Sequence, residues 1–245
     1  MNKAILTHAK MEMKLFFRDW MQLFFTFVLP AGLFIMFGEI YGSMPFQGKS
    51  YFDTYIPAMI SIIILNTSLF TLGVQLVVDR EKGVLRRLKG TPMRPWVMFI
   101  GILLKGFIGV LIGAVEIIAL GYFIFHALPS PHLLLFFVFL IFTYVAFSSI
   151  GILVSSVSRK VGIALCISFI LMYIMMFLSG TTVPLAEYPE VLVRISDWVP
   201  LTHVHRLLID AWEGVPGTQH GVSFLVLLGI CAVCTGIGSK FFAWE

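Results

Sequence analysis

The chain has 245 residues, of which 59% are hydrophobic and 12% charged, with a formal net charge of +4 and a mean hydropathy of +0.96. A soluble domain carries about 25% charged residues and is far less apolar, so a water-soluble fold is excluded and an all-α integral membrane protein is expected. Six helices of about 20 residues each cross roughly 30 Å of hydrocarbon and use about half of such a chain, leaving no room for a soluble catalytic domain.

Residues 1–19 open the chain as an amphipathic helix. Ile5, Leu6, Ala9, Met13, Phe16 and Phe17 fall on one face, and Lys3, Thr7, Lys10, Lys14 and Arg18 on the other. Such a helix lies flat on an anionic leaflet. With no small-residue cleavage site after the first apolar run, the segment does not resemble a signal peptide, and the first span is expected to stay in the mature protein. Apolar runs near 20–41, 55–78, 96–126, 132–157, 161–182 and 221–242 are read as six transmembrane helices. An even number puts both termini on one side.

Lysine and arginine then fix the orientation. One set of segments holds Lys3, Lys10, Lys14, Arg18, Arg80, Lys82, Arg86, Arg87, Lys89, Arg94, Arg159, Lys160 and Lys240, thirteen of the 17 cations, while the opposite loops hold only Lys49, Arg194 and Arg206. This asymmetry predicts a multi-pass protein with both termini in the cytoplasm. In the first external loop, Gly48-Lys49-Ser50 imitates the end of a phosphate-binding loop. That motif needs a glycine at position 43, which is Ser43, and no strand precedes it, so nucleotide binding is not expected there.

The segment from Asp79 to Pro95 has six cations and two anions and is too polar to cross a membrane. Val84, Leu85 and Leu88 make a small apolar ridge at helical spacing, and Gly90 and Pro92 stop the helix. A short basic helix with one apolar edge suits a groove on a partner protein; the alternative is a basic loop that holds topology and touches lipid headgroups. In the third span, Lys105 and Glu116 are eleven positions apart, which puts them on one face about 16 Å from each other, too far to pair. Charges at membrane depth usually face a bundle interior or a watery cavity, which makes both candidates to line a substrate route; Lys105 is also close enough to the end of its span to snorkel. Gly109 and Gly113 permit close helix approach on nearly the same face.

Between the fifth and sixth spans, two short amphipathic helices are expected. Tyr188, Val191, Leu192 and Ile195 form one stripe, and Val204, Leu207, Leu208, Ala211 and Trp212 the other, with Pro184, Pro189 and Pro200 as punctuation. At about 10 residues each they are too short to span, so a re-entrant hairpin dipping into the outer leaflet is predicted. The alternative is a surface pair with Trp198 and Trp212 as interface anchors. His203 and His205 form H-x-H, but a helical setting with no completing cluster favours polar packing over a metal site. Cys166, Cys231 and Cys234 sit in apolar stretches and read as packing residues. The few scattered carboxylates make no catalytic pair.

Two groups of residues resemble a known family. Arg80-Glu81-Lys82-Gly83 with Leu85, Leu88 and Thr91-Pro92 looks like an R-E-x-G…L…T-P loop, and Leu178-Ser179-Gly180…Pro184…Pro200-Leu201-Thr202 looks like an L-S-G…P…P-L-T stretch. Both belong to the ABC-2 type permeases, which include the membrane subunits of daunorubicin-type exporters, and the resemblance covers essentially the whole chain. It implies a single transmembrane domain over residues 1–245 of the type V ABC exporter kind. Residues 1–19 would form a connecting helix, 79–92 a coupling helix seated in a separate ATPase subunit, and 183–213 the re-entrant hairpin. It also implies two permease copies around one pathway, ATP bound only by the partner ATPase, no cofactor, metal or catalytic residue in this chain, membrane lipid but no nucleic acid as a partner, and export of a drug, antibiotic, peptide or lipid from a bacterial cell. Arg86-Arg87 stands where many relatives carry an acidic residue, which implies a more acidic ATPase surface. An ion-coupled secondary transporter with Glu116 as ion carrier, or a non-transporting sensor or immunity protein, are the competing readings.

Overall fold

A computed structural model describes residues 11–43, 50–89, 95–183, 185, 188–215 and 221–241, among which no strand occurs. The helices are α1 (residues 11–16), α2 (residues 20–41), α3 (Tyr51–Glu81), α4 (Val84–Lys89), α5 (Pro95–Phe125), α6 (Leu133–Val157), α7 (Val161–Leu178), α8 (Glu190–Ser196), α9 (Pro200–Glu213) and α10 (Gly221–Phe241). Six are long and apolar enough to cross a membrane: Phe24–Tyr41, Tyr51–Glu81, Phe99–Phe125, Leu133–Val157, Val161–Leu178 and Gly221–Lys240. The all-helical, six-span architecture expected from hydropathy is therefore present, with shifts at the boundaries.

The largest shift is in the second span, expected over 55–78. Helix α3 instead runs for 31 residues, about 46 Å at 1.5 Å per residue, so its ends stand clear of a hydrocarbon layer of about 30 Å. Polar residues such as Asp53 and Asp79 end an apolar run without ending a helix. The helix ends where the backbone demands it, at Gly83, whose φ of +67° suits glycine.

Helix α3 is also the axis of the bundle. In its most apolar window 78% of residues are buried, against 17% for α7, so one helix is wrapped by protein and the other presents most of its surface outward. Its middle, Thr67–Val74, is π-helical, and so is Phe24–Val28 in α2. The Asn66 amide, one residue before the π-helical part of α3, donates to the Phe25 carbonyl in that of α2 at 3.1 Å. Against α6, backbone meets backbone: a Cβ on Gly151 would lie 1.9 Å from the Ser68 carbonyl oxygen. Only a hydrogen side chain permits that approach.

The remaining contacts use hydroxyls that would otherwise be unsatisfied in an apolar interior. Tyr144 of α6 donates to the Leu103 carbonyl of α5 at 2.8 Å, and Ser156 donates to the Gly238 carbonyl of α10 at 3.2 Å. Ser148, Ser149 and Ser155 donate to carbonyls three or four residues back in their own helix. Gly113 packs on Ile63, the close approach expected of the Gly109/Gly113 pair.

The chain connectivity gives the bundle two ends. Residues 82–89 and 158–160 lie at one, which is basic, and residues 42–43, 126–132 and 179–215 at the other. At the second end α9 does not lie on the surface. It inserts among α3, α6, α7 and α10, burying Val204, Leu207, Leu208, Ala211 and Trp212. Trp212 meets Phe136 edge to face at 5.2 Å, and its carbonyl accepts from the Ser130 hydroxyl. Its burial removes it as an interface anchor. The stripe expected on α8 is only partly covered: Val191 and Ile195 are exposed, Tyr188 and Leu192 half-buried, and the neighbouring Trp198 is 88% exposed.

Candidate functional site

The basic end concentrates the residues singled out in the segment 79–92. Lys82 closes α3, Gly83 turns the chain, and α4 follows. Arg80, half-buried, and Glu81, exposed, both reach back to the α6–α7 connection. The Arg80 guanidinium donates to the carbonyls of Ser155 at 2.6 Å and Ser158 at 3.1 Å, the last turn of α6. The Glu81 carboxylate accepts from the Val161 backbone N–H at 2.9 Å, the first residue of α7. Beside them, Asp79 accepts from the Gln75 amide at 3.0 Å.

Leu85 is 1% exposed and belongs to the main apolar core. The ridge of Val84, Leu85 and Leu88 expected to face a partner thus has its Leu85 turned into the chain itself, because a leucine beside a helical bundle gains more by joining its core than by waiting in water. What α4 leaves outside is basic: Arg86 and Arg87 are exposed. Leu88 lies within α4. Thr91 and Pro92 fall outside the described residues.

Lys105 is 4% exposed at its side chain and forms an ion pair at 2.9 Å with Glu12 of α1, itself 11% exposed. The pair borders a cleft of about 140 Å³ that also contains Gln75, Asp79 and Asp19. One turn on, Phe16 is buried, and its ring sits where a Cβ on Gly109 would lie at 3.4 Å. Helix α1 is therefore fastened to α5 by one salt bridge and one ring-on-glycine contact. Phe17, placed on the same apolar face by periodicity, is exposed, since α1 gives way to a turn at that residue. Residues 1–10 lie outside the described residues. Glu116 is half-buried and has no ion-pair or hydrogen-bond partner among the described residues. Lys105 and Glu116 do not form a joint site.

At the opposite end Gly180 (φ +80°) ends the run after α7, where Ser179 and Thr181 hydroxyls bond each other at 2.9 Å and Thr181 donates to the Met176 carbonyl. Pro200 opens α9, and Leu201 is fully buried; Pro184 lies outside the described residues. His203 bridges two elements, its Nε2–H donating to the Asp197 carbonyl at 3.0 Å and its Nδ1 hydrogen-bonded to the Ser223 hydroxyl at 3.1 Å. A carbonyl can only accept, so Nε2 carries a proton. Burial depresses the His203 pKa, which favours the neutral ring. His205 is buried too, its pKa lowered to about 4 by burial and then by Arg206. The two rings serve packing, and no group of three metal-ligating side chains occurs among the described residues. All three cysteines are free thiols.

An aromatic row runs along the outward face of α7. Phe169, Tyr173 and Phe177 stack at successive turns, 6.4 and 6.5 Å between centroids, and Phe70 of α3 joins Phe169 at 5.0 Å. All three α7 rings are about half exposed. Residue spacing signals this row, at i, i+4 and i+8, but an apolar span gives no means of telling such a face from a lipid-facing one. Glu12 was likewise legible only in hindsight: it is an acid next to the apolar face of a basic helix, and Lys105 is a cation well inside the third span.

The chain matches the model of the ABC-2 type transporter family over residues 3–211. It is also similar to a protein of Bacillus subtilis (strain 168) named "Putative transport permease YvfS", with 22% identity over 207 residues, covering 84% of this chain and 83% of that one. With six spans, a basic short helix after the second and a match across most of its length, the chain belongs to the ABC-2 type transporter family.

Proposed function

We propose that the chain is the permease subunit of an ABC exporter, a non-enzymatic membrane subunit that works with a separate ATPase, which binds and hydrolyses the ATP. The observation that carries this is α4: a short helix anchored through Leu85 that presents Arg86 and Arg87 outward at the end where most cations of the chain collect. Such a knuckle moves with the bundle when pushed, which is what a coupling helix over 79–92 must do. The cation asymmetry faces this end, and both termini, to the cytoplasm of a bacterial cell. Helix α1 then acts as the connecting helix, and α8–α9 as the external re-entrant hairpin of a type V exporter.

The outward faces of α2, α7 and α10 leave room for a second permease copy. The row of Phe169, Tyr173 and Phe177, with Phe70, would line the pathway between two copies and suit a hydrophobic or amphipathic cargo such as a drug, antibiotic, peptide or lipid. Lys105, held by Glu12, acts as an anchor in this reading rather than as a lining residue.

An ion-coupled transporter is favoured by one observation, a Glu116 with no ion-pair or hydrogen-bond partner among the described residues. The test is uptake of an amphipathic dye such as ethidium into inside-out vesicles containing the chain and its ATPase. Exporter function predicts uptake that needs ATP, is blocked by vanadate and survives ionophores. Uptake that survives vanadate and fails with ionophores, or is lost on Glu116→Gln alone, refutes the proposal in favour of ion coupling.

A further inference from the structure

Resting on that reading of α4, we propose that Arg80 and Glu81 do not meet the ATPase at all but form an internal clasp, relaying motion of the coupling segment to the paired spans α6 and α7. The two residues are adjacent in sequence and lie at the last turn of α3, directly before Gly83 and α4. Their side chains take the two halves of one tight connection. Arg80 spans the carbonyls of Ser155 and Ser158, and Glu81 takes the amide of Val161. Only Ser158, Arg159 and Lys160 separate α6 from α7.

Each contact fits the unpaired groups at a helix end. The last carbonyls of α6 carry partial negative charge and receive a cation, and the first amide of α7 carries partial positive charge and receives an anion. A guanidinium can address two carbonyls at fixed spacing, which a lysine cannot do equally well. The α6–α7 connection is thus closed over the end of α3 by polar contacts on both sides, without any other element between. Since α4 is anchored through Leu85, and α3 is the buried axis, a displacement of α4 has a short route into α7, the helix with the outward aromatic row. Arg80 and Glu81 are positioning residues on this route.

Hydrogen bonding and charge make opposite predictions here. Glu81→Gln keeps the carbonyl oxygen that accepts from Val161 and loses the charge; Arg80→Lys keeps the charge and loses the fork. Amide hydrogen exchange of residues 158–163 is measured in the full-length protein in nanodiscs, alone and with the ATPase subunit trapped by ATP and vanadate. The clasp predicts wild-type exchange in Glu81→Gln and about tenfold faster exchange at Val161 in Glu81→Ala, the size of one lost hydrogen bond. Trapping changes exchange in this segment in wild type and Glu81→Gln, and that response is lost in Glu81→Ala and Arg80→Lys.

Slow exchange in Glu81→Ala alone, or equal acceleration in the Gln and Ala variants, overturns the clasp. A trapping response that survives in Glu81→Ala and Arg80→Lys but fails in Glu81→Gln overturns the relay in favour of charge docking on the ATPase. No response to trapping in the wild type overturns the relay and the exporter reading together, while the exchange rates without nucleotide still decide the clasp.

Discussion

The ion pair between Glu12 and Lys105 offers a quantitative test of how α1 is held. The two side chains are 11% and 4% exposed with 2.9 Å between charged atoms, so solvent does little to screen them. Removing one partner strands the other charge in a poorly hydrated cleft, which costs about 3–5 kcal/mol for a buried pair. Removing both with isosteres, Glu12→Gln with Lys105→Met, strands neither and should cost no more than about 1 kcal/mol. Phe16 on Gly109 still holds α1 in every variant and adds about 1.5–3 kcal/mol of its own. Two single losses of about 3 kcal/mol or more, against about 1 kcal/mol for the double variant, give an expected coupling energy of at least about 5 kcal/mol. A double-mutant cycle by denaturant titration of the full chain in mixed micelles measures it. If the double variant is as unstable as the sum of the two single ones, the pair is not a unit, and α1 is held by its apolar contacts alone.

Three further outcomes follow from other contacts. Gly151→Ala places a methyl carbon on the Ser68 carbonyl, where backbone must move, and should cost about 1–3 kcal/mol by overpacking; Gly162→Ala, with open space around it, should be neutral or slightly stabilising, and equal effects in thermal unfolding would contradict the α3–α6 contact. Leu85→Ala should lower the unfolding midpoint, by about 2–5 kcal/mol, whereas Arg86→Ala should leave it unchanged and weaken ATPase binding in a pull-down; the reverse pattern would mean that α4 faces the other way. His205 has an ordinary pKa of 6.5 lowered to about 4 by burial, so the unfolded chain binds a proton that the folded one refuses. Stability is then fully present above pH 6.5 and falls as pH drops toward 4, by about 2 kcal/mol at pH 5; the slope should flatten in His205→Leu, and an unchanged slope would assign the effect to other groups.

The architecture was legible because its signals are collective. Six apolar runs and the distribution of lysine and arginine depend on dozens of residues, and no single contact can overturn them. Helix ends were less legible, because Asp53 and Asp79 stop a hydropathy plot but not a helix, and α3 grew at both ends. The amphipathic stripes gave different outcomes: that of α9 is buried in the bundle, while that of α8 stays partly exposed, and periodicity alone does not say whether an apolar face meets protein, lipid or a second copy. At the candidate site, Arg80 and Glu81 were found by pattern, but their direction was not. A charged pair next to a basic helix reads as a docking surface, and only the fold shows the end of α6 and the start of α7 within their reach. Lys105 found its partner 93 positions away, a distance across which spacing rules carry no information.

As a permease driven from α4, this chain would move cargo only when a separate subunit hydrolyses ATP and pushes on that helix. The most direct measurement is ATP hydrolysis by the full-length chain purified through a C-terminal tag in mild detergent, before and after a salt wash. The account predicts that a P-loop ATPase accompanies the unwashed protein, that Arg86→Glu with Arg87→Glu releases it, and that the washed chain hydrolyses no ATP. Hydrolysis by the washed chain, or an unwashed chain that brings down no ATPase from its own membranes, would contradict it.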